Sequence, residues 1–231
     1  MRDFRKEESM LRKYRLRLTF IGILLGALLF GFDGGAVVIY QIPKAPPLNA
    51  ILHLIRVPLS RQGHDYTCGV AALQSVLYYY GKELREDTLA EALGSDPNEG
   101  TNYRRIVEYA LSEGFNANVQ KEMTLEDLRQ LINRKRPIML LIQAWHGSDP
   151  VDNLTDWDDG HYVVAIGYDS KNIYLMDPST LGNYTFIPIP EFLDRWHDQD
   201  PYTGEFLVHL GIVIEKGQPQ YDFREIKYLA N

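Results

Sequence analysis

The spacing of the apolar residues changes at Pro137, and this change limits the fold of the chain more than any other feature. Before this residue they recur mainly at helical intervals, and after it they form short runs separated by turns. Helices therefore come first, and strands joined by hairpins follow. That order is typical of an α+β fold with an antiparallel sheet.

The individual elements follow from start and stop signals. Gly81, Gly94 and Gly114 end three helices, and Thr124 with Asp127 forms an approximate capping box at the start of a fourth. The predicted helices cover residues 68–80, 87–94, 101–113 and 124–135, with a short helix at 190–197. The predicted extended segments are residues 115–119, 138–145, 161–169, 173–178, 183–188 and 206–215.

The N-terminal 40 residues have the pattern of a membrane segment. Residues 1–17 hold seven Lys or Arg, and residues 18–32 hold no charge. A bilayer core needs about 20 apolar residues, so residues 18–40 predict one transmembrane anchor with Asp33 near an interface. The basic tail 1–17 should stay cytoplasmic, which puts the rest of the protein outside, in a periplasmic or extracellular position. The alternative is a cleaved signal peptide and a secreted protein.

The remaining boundaries and the charge restrict the class of protein. Residues 41–50 contain three prolines and predict a stiff linker, residues 51–215 the folded domain, and residues 216–231 a polar tail. The net charge is −7, although residues 1–17 are basic. An acidic body argues against a nucleic-acid partner. A single cysteine excludes an intrachain disulfide and a cysteine-rich zinc site.

Four separated residues predict a catalytic site. Cys68 stands at a helix start, where unpaired N–H groups and the helix dipole favour the reactive thiolate. His161 lies nine residues before the turn near Ser170 and Asp177 seven after it, so both emerge at the open end of one hairpin. The carboxylate can orient the imidazole towards the thiol, and the amide of Gln62 can stabilise an oxyanion.

Each of these residues also has a purely structural interpretation. An isolated cysteine is more often a small core residue, a histidine at a strand start is usually at the surface, and Asp-Pro is a common turn. The joint placement of Cys68, His161 and Asp177 favours the catalytic interpretation.

The same residues resemble a known family. Gln62-x5-Cys68-Gly69, Gly160-His161-Tyr162-Val163-Val164 and Asp177-Pro178 resemble the motifs of papain-like cysteine peptidases. Within that clan the chain is most similar to the bacteriocin-processing, double-glycine-leader peptidases, the thirty-ninth cysteine peptidase family, in a stand-alone, membrane-anchored form. The resemblance covers residues 57–215.

This resemblance implies a papain-like fold, with a helical half packed on an antiparallel β-sheet and a cleft between them. It implies that Cys68 is the nucleophile, His161 the base, Asp177 the residue that orients the base, and Gln62 the oxyanion donor. Neither a metal nor a cofactor is required. Many relatives are fused to an ABC transporter, but this chain has no Walker-type GxxxxGK[ST] segment.

The expected activity is hydrolysis of peptide bonds in a peptide or protein substrate through a thioester acyl-enzyme. Leader-type peptides are one expected substrate class. Two alternatives stay open: an amidase or transpeptidase that uses the same triad on envelope peptides, and a catalytically silent peptide-binding module.

The acidic loop of residues 147–160 lies directly before His161 in the sequence, and three interpretations of it stay open. It is a solvated loop, a selector of basic substrate segments, or a calcium site. The oxygen ligands for calcium would come from Asp152, Asn153, Asp156, Asp158 and Asp159, but the EF-hand pattern is missing.

Overall fold

The structure is a computed structural model that describes residues 44–144 and 155–228. The predicted basic tail, the predicted transmembrane segment and residues 147–154 of the acidic loop lie outside the described residues. Within the described part of the chain, no helix has the length and apolar character that a membrane crossing requires.

The predicted helices before Pro137 are present. The helices are α1 (Cys68–Tyr79), α2 (Glu86–Leu93), α3 (Tyr103–Ser112) and α4 (Leu125–Asn133). Gly94 ends α2 in the left-handed conformation, with φ +61°, where a residue without Cβ is favoured. The capping box of α4 is complete, because Thr124 accepts from the Asp127 N–H while the Asp127 carboxylate accepts from the Thr124 N–H.

The strands form one antiparallel sheet with the order β2-β9-β3-β4-β5-β6, and β1 pairs with one end of β4. These strands are β1 (His53–Leu54), β2 (Asn116–Gln120), β3 (Ile138–Gln143), β4 (Gly160–Tyr168), β5 (Asn172–Met176), β6 (Thr185–Pro188) and β9 (Gly211–Glu215). The α+β fold with an antiparallel sheet is confirmed.

The strands β3 and β4 lie in the middle of the sheet and are buried along almost their whole length. Helices cover the sheet, so both faces of these strands are apolar, which explains continuous runs of apolar residues in place of alternation. Helix α1 packs against β4, and the short helix α5 (Ile189–Arg195) packs against β5 and β6.

The single strand predicted for residues 206–215 is wrong. The chain forms β8 (Phe206–Val208), which pairs with β7 (His197–Gln199) in a separate hairpin, and then β9 in the main sheet. His209 separates the two strands with φ +49°. The apolar run hides this break, because both strands consist mainly of apolar residues, although Phe206 and Val208 of β8 are exposed. The helix predicted for residues 190–197 likewise ends early, at Arg195.

Candidate active site

The loop before α1 is held by a carboxylate from the next helix. Glu86 Oε1 accepts hydrogen bonds from the Thr67 hydroxyl, at 2.6 Å, and from the Gly63 N–H, at 2.7 Å. Thr67 is the N-cap residue of α1, and Cys68 is the first helical residue. The position of the thiol is therefore fixed from two sides, by the helix that it starts and by the anchored loop that precedes it.

Gly69 brings this helix start close to the sheet. A Cβ atom at this position would lie 2.8 Å from Thr101 Cβ and 3.0 Å from Tyr162 Cδ2, which leaves no room for a side chain. The Tyr162 hydroxyl donates to the Thr101 carbonyl at 2.9 Å and fixes both neighbours. Close packing of α1 on β4 thus places Cys68 next to the strand that carries His161.

His161 and Asp177 meet at the end of the β4–β5 hairpin. His161 Nε2 lies 2.8 Å from Asp177 Oδ1. The carboxylate also accepts from the Ser179 N–H, at 2.8 Å, from the Ser179 hydroxyl and from the Thr180 hydroxyl. This network fixes the carboxylate, which in turn fixes the orientation of the imidazole.

The pKa values of this pair move in opposite directions. Burial alone would lower the pKa of His161, which is only 1% exposed, but hydrogen bonds to Asp177 and to Cys68 outweigh burial and raise the pKa to about 9. Burial would raise the pKa of Asp177, but His161 and Ser179 stabilise the carboxylate and lower the pKa to about 2. Near neutral pH the pair is therefore an imidazolium and a carboxylate.

Cys68 is the third side chain of this arrangement, after His161 and Asp177. Since Nε2 of His161 is engaged by Asp177, Nδ1 is the nitrogen that remains for the thiol. The carboxylate thus holds one side of the imidazole, and the sulfur lies near enough to the other side to influence its pKa.

Gln62 lies beside this chain of groups, but its amide is engaged in the loop. The Gln62 backbone N–H donates to the Pro178 carbonyl at 3.0 Å, next to Asp177. Its side-chain Nε2 donates to the carbonyls of His64 and Asp65, and Oε1 is buried with no hydrogen-bond partner among the described residues.

The Cys68 side chain, in a residue that is 9% exposed, lines a cleft of about 340 Å³ between the helical half and the sheet. One wall comes from residues 97–103 and the other from the sheet and the β7–β8 hairpin. A second cavity, of about 130 Å³, lies on the side of His161 and Asp177. The volume of the larger cleft is within the range of small-molecule and peptide-side-chain sites.

Metal ligation has no support in the described part of the chain, where no three His, Cys, Asp or Glu side chains are grouped for it. Asp152 and Asn153, two of the residues considered as calcium ligands, lie outside the described residues. The carboxylate of Asp156 accepts from the Asp158 N–H, an interaction within the loop itself.

Sequence reasoning missed two groups of residues at this site. Ser179 and Thr180 hold the Asp177 carboxylate, and the Asp-Pro-Ser-Thr segment contains the signal, since hydroxyls two and three residues after an aspartate often bond to it. Asp198 lines the cleft from β7. No local pattern indicates this placement, because it depends on the β7–β8 hairpin.

Comparisons with known proteins identify the family of the chain. A family model described as Peptidase_C39 like family matches residues 54–202, which is more than half of the chain and includes Cys68, His161 and Asp177. The chain belongs to the Peptidase_C39 like family. The resemblance to the thirty-ninth cysteine peptidase family is therefore confirmed.

Relatives of this Peptidase_C39 like chain include two archaeal proteins, both uncharacterised. One, from Methanothermobacter thermautotrophicus, is 36% identical over 124 residues, which cover 54% of this chain and 72% of the relative. The other, from Methanothermobacter marburgensis, is 32% identical over 119 residues, 52% of this chain and 70% of the relative.

Solved structures show the same fold. A putative C39-like peptidase from Bacillus anthracis aligns with a TM-score of 0.55 at 20% identity, over 73% of this chain and 98% of that one. The peptidase domain of Streptococcus ComA, a bifunctional ABC transporter involved in a quorum-sensing pathway, aligns with a TM-score of 0.51 at 24% identity, over 70% and 98%.

Proposed function

We propose that this protein is a cysteine peptidase that hydrolyses peptide bonds through a triad of Cys68, His161 and Asp177. One observation carries the proposal: the buried imidazole of His161 is hydrogen-bonded to Asp177, and Cys68, which lines the cleft, lies close enough to raise the pKa of that imidazole. A purely structural role does not explain why a buried imidazolium should contact the single thiol of the chain.

The proposed reaction has two stages. The Cys68 thiolate attacks the carbonyl carbon of the substrate, and the tetrahedral intermediate collapses as His161 Nδ1–H gives its proton to the leaving amine. The acyl group is then a thioester on sulfur. His161, now neutral, takes a proton from water, the hydroxide attacks the thioester, and the acid is released while the thiolate and the imidazolium are restored.

Asp177 acts in both stages without taking the proton. It holds His161 so that Nδ1 faces the sulfur, and its negative charge stabilises the imidazolium. The hydrogen bonds from Ser179 and Thr180 keep the carboxylate ionised and in place.

The oxyanion donors in the proposal are the backbone N–H of Cys68 and the side-chain amide of Gln62. The N–H of the first helical residue has no partner within the helix. Support for Gln62 comes from its backbone hydrogen bond beside Asp177 and from its two amide hydrogens. For one of them to serve the oxyanion, it must leave a loop carbonyl, that of His64 or Asp65.

Peptides are the proposed substrates, and leader-type peptides that end in two glycines are the first to test, by the family resemblance. The membrane anchor at residues 18–40, with the catalytic domain on the outer side, is also a proposal and is supported by the charge pattern of residues 1–17. Extraction of membranes at alkaline pH tests the anchor. Full-length protein in the soluble fraction would contradict it.

The test of the peptidase is cleavage of a peptide library by the full chain, with Cys68→Ala and Cys68→Ser as matched variants. We expect cleavage by the wild-type chain, none by either variant, and an acyl-enzyme visible as an added mass on Cys68 after rapid acid quench. Wild-type-like cleavage by Cys68→Ala would refute the proposal. Transfer of the acyl group to an added amine in place of water would identify a transpeptidase.

A further inference from the structure

The cleft beside Cys68 contains a carboxylate that pairs with no Lys or Arg of the described residues. Asp198, on β7, accepts a hydrogen bond from the Gln199 N–H at 2.8 Å and one from Gln143 Nε2 at 3.3 Å. Both donors are uncharged and both approach Oδ1. Among the described residues no Lys or Arg forms an ion pair with Asp198, and Oδ2 receives none of these hydrogen bonds.

A second carboxylate on the same wall is neutralised within the fold. Asp200, which is 2% exposed, pairs with Arg104 and also accepts from the Tyr202 N–H and the Thr203 hydroxyl. The two aspartates therefore differ, although they are two residues apart. A desolvated charge without a partner is costly, so a fold that stabilises one and not the other leaves Asp198 suited to an external cation.

The position of Asp198 relative to the proposed catalytic groups is set by Gly160, which precedes His161. A Cβ atom at Gly160 would lie 2.6 Å from Asp198 Oδ1 and 2.7 Å from Oδ2. The carboxylate therefore rests against the backbone of the strand that carries the base. Cys68 and Asp198 line the same cleft of about 340 Å³, and no Lys or Arg is among its described lining residues.

We propose that Asp198 determines the substrate specificity of this cleft by binding the cationic side chain of a lysine or arginine in the peptide. This inference rests on the proposed function. The incoming ammonium or guanidinium replaces the missing counter-charge and takes Oδ2, while Gln143 and Gln199 hold Oδ1. Trp157 and Tyr162 also line the cleft and contact the apolar stem of such a side chain.

The titration of Asp198 agrees with this geometry. Burial, together with the nearby charge of Asp200, raises the pKa of Asp198 to about 6, and the hydrogen bonds from Gln199 and Gln143 and the charge of His161 only partly oppose this. The carboxylate is therefore largely ionised at neutral pH, and a bound cation stabilises the ionised form further.

The test is a binding measurement on the full chain carrying Cys68→Ala, which prevents turnover. The probes are fluorescent hexapeptides of Gly and Ala with one Lys at each of the six positions, paired with the same peptides carrying Nε-acetyl-lysine. We expect at least one position at which the Lys peptide binds roughly tenfold more tightly than its acetylated partner, the scale of a partly desolvated charge pair.

The variant Cys68→Ala/Asp198→Asn should lose this preference, whereas Cys68→Ala/Asp87→Asn should keep it. Asp87 serves as the control because the substitution removes the same charge from an exposed position on α2 that does not line the cleft. No Lys preference at any position, or an unchanged preference in the Asp198→Asn background, overturns the inference. The comparison of Lys with acetyl-lysine needs no variant at residue 198, so it stands even if that variant fails to fold.

Failure of this inference is distinct from failure of the proposed function. Lys-selective binding that Asp198→Asn abolishes, with no cleavage by the wild-type chain, supports Asp198 as the cation site and contradicts the peptidase. Cleavage by the wild-type chain without Lys preference supports the peptidase and contradicts the role of Asp198.

Discussion

Asp177 Oδ1 lies 2.8 Å from Nε2 of His161, although the two residues are 16 positions apart in the sequence. Their pKa values shift in the directions expected of an ion pair, to about 2 for the carboxyl and to about 9 for the imidazole, against burial in both cases. This pair should therefore contribute to stability as well as to the proposed reactivity of Cys68.

The substitution Asp177→Asn should destabilise the fold most between about pH 4 and pH 6.5. His161 has a raised pKa, so its contribution is complete below its ordinary value of 6.5 and is lost as the pH rises through about 9. Asp177 has a lowered pKa, so its contribution is complete above 3.8 and is lost as the pH falls through about 2. Denaturant unfolding should show a loss of about 3 kcal/mol at pH 6 that shrinks at pH 9.5.

The control for this prediction is Asp87→Asn, which removes an exposed carboxylate on α2. A loss of stability from Asp177→Asn that is equal at pH 6 and pH 9.5 would contradict the ion pair and leave only a neutral hydrogen bond.

The reactivity of Cys68 should depend on His161. The imidazole of His161 lies beside the sulfur and can take its proton, so the rate at which iodoacetamide alkylates Cys68 should depend on this side chain. We expect His161→Ala to slow this alkylation by about tenfold or more, measured by intact-protein mass spectrometry. His53→Ala, which removes an exposed histidine stacked on Tyr168, should leave the rate unchanged. Equal rates in the wild-type chain and in His161→Ala would disprove the contact.

The loop before Cys68 should loosen when Glu86 is replaced. Its carboxylate accepts from the Gly63 N–H and the Thr67 hydroxyl, and hydrogen bonds to a charged acceptor contribute roughly 1.5–3 kcal/mol. Glu86→Ala should therefore increase hydrogen exchange at the Gly63 amide and lower stability by about 2 kcal/mol, with a smaller effect for Glu86→Gln. Glu91→Ala, at an exposed position of the same helix, serves as the control. Unchanged exchange at Gly63 would show that this anchor is dispensable.

The hairpin that joins His161 to Asp177 shows how far sequence reasoning reaches. Counting residues from the turn predicts that the two meet at its open end, but β4 contains one extra residue, Ile166, opposite β5. With this bulge, the register continues to place Asp177 opposite Val163, on the same face of the sheet as His161. Without it Asp177 would oppose Val164 and point to the other face, because a one-residue slip reverses every side chain.

The bulge itself carries no clear sequence signal, because its cause is nonlocal. A Cβ atom at Gly167 would lie 2.6 Å from the carbonyl oxygen of His53, so a glycine lets β1 approach β4 at this point. The break at His209 is hidden for a similar reason, since strands on both sides of it are apolar. Local signals such as the capping box at Thr124 and the helix start at Cys68 were predictable, because they depend only on neighbouring residues.

Replacement of Gly69 should move the start of α1. Alanine normally stabilises a helix, but here its Cβ would meet Thr101 and Tyr162, which are both buried. Overpacking of this kind costs about 1–3 kcal/mol, so Gly69→Ala should lower stability and slow alkylation of Cys68. Thr101→Gly removes one of the two contacts, and the double variant should recover part of the loss in a double-mutant cycle. Additive effects would contradict the steric explanation.

The half-buried carboxylate of Asp198 should weaken the fold more at neutral than at acidic pH. Its pKa is raised to about 6, so the protonated form is favoured in the folded state. The stabilisation of the fold by protonated Asp198 is complete below the ordinary pKa of 3.8 and is lost as the pH rises through about 6. The difference between the two pKa values corresponds to at most about 3 kcal/mol in the free energy of unfolding.

Asp198→Asn mimics the neutral form, so its melting temperature relative to the wild-type chain should be higher at pH 7.5 than at pH 4. Asp158→Asn, on the exposed part of the same cleft, should show no such trend. A parallel course of Asp198→Asn and the wild-type chain across this range would mean that a counter-charge already neutralises the carboxylate, and the cleft would then have no need of a cationic substrate.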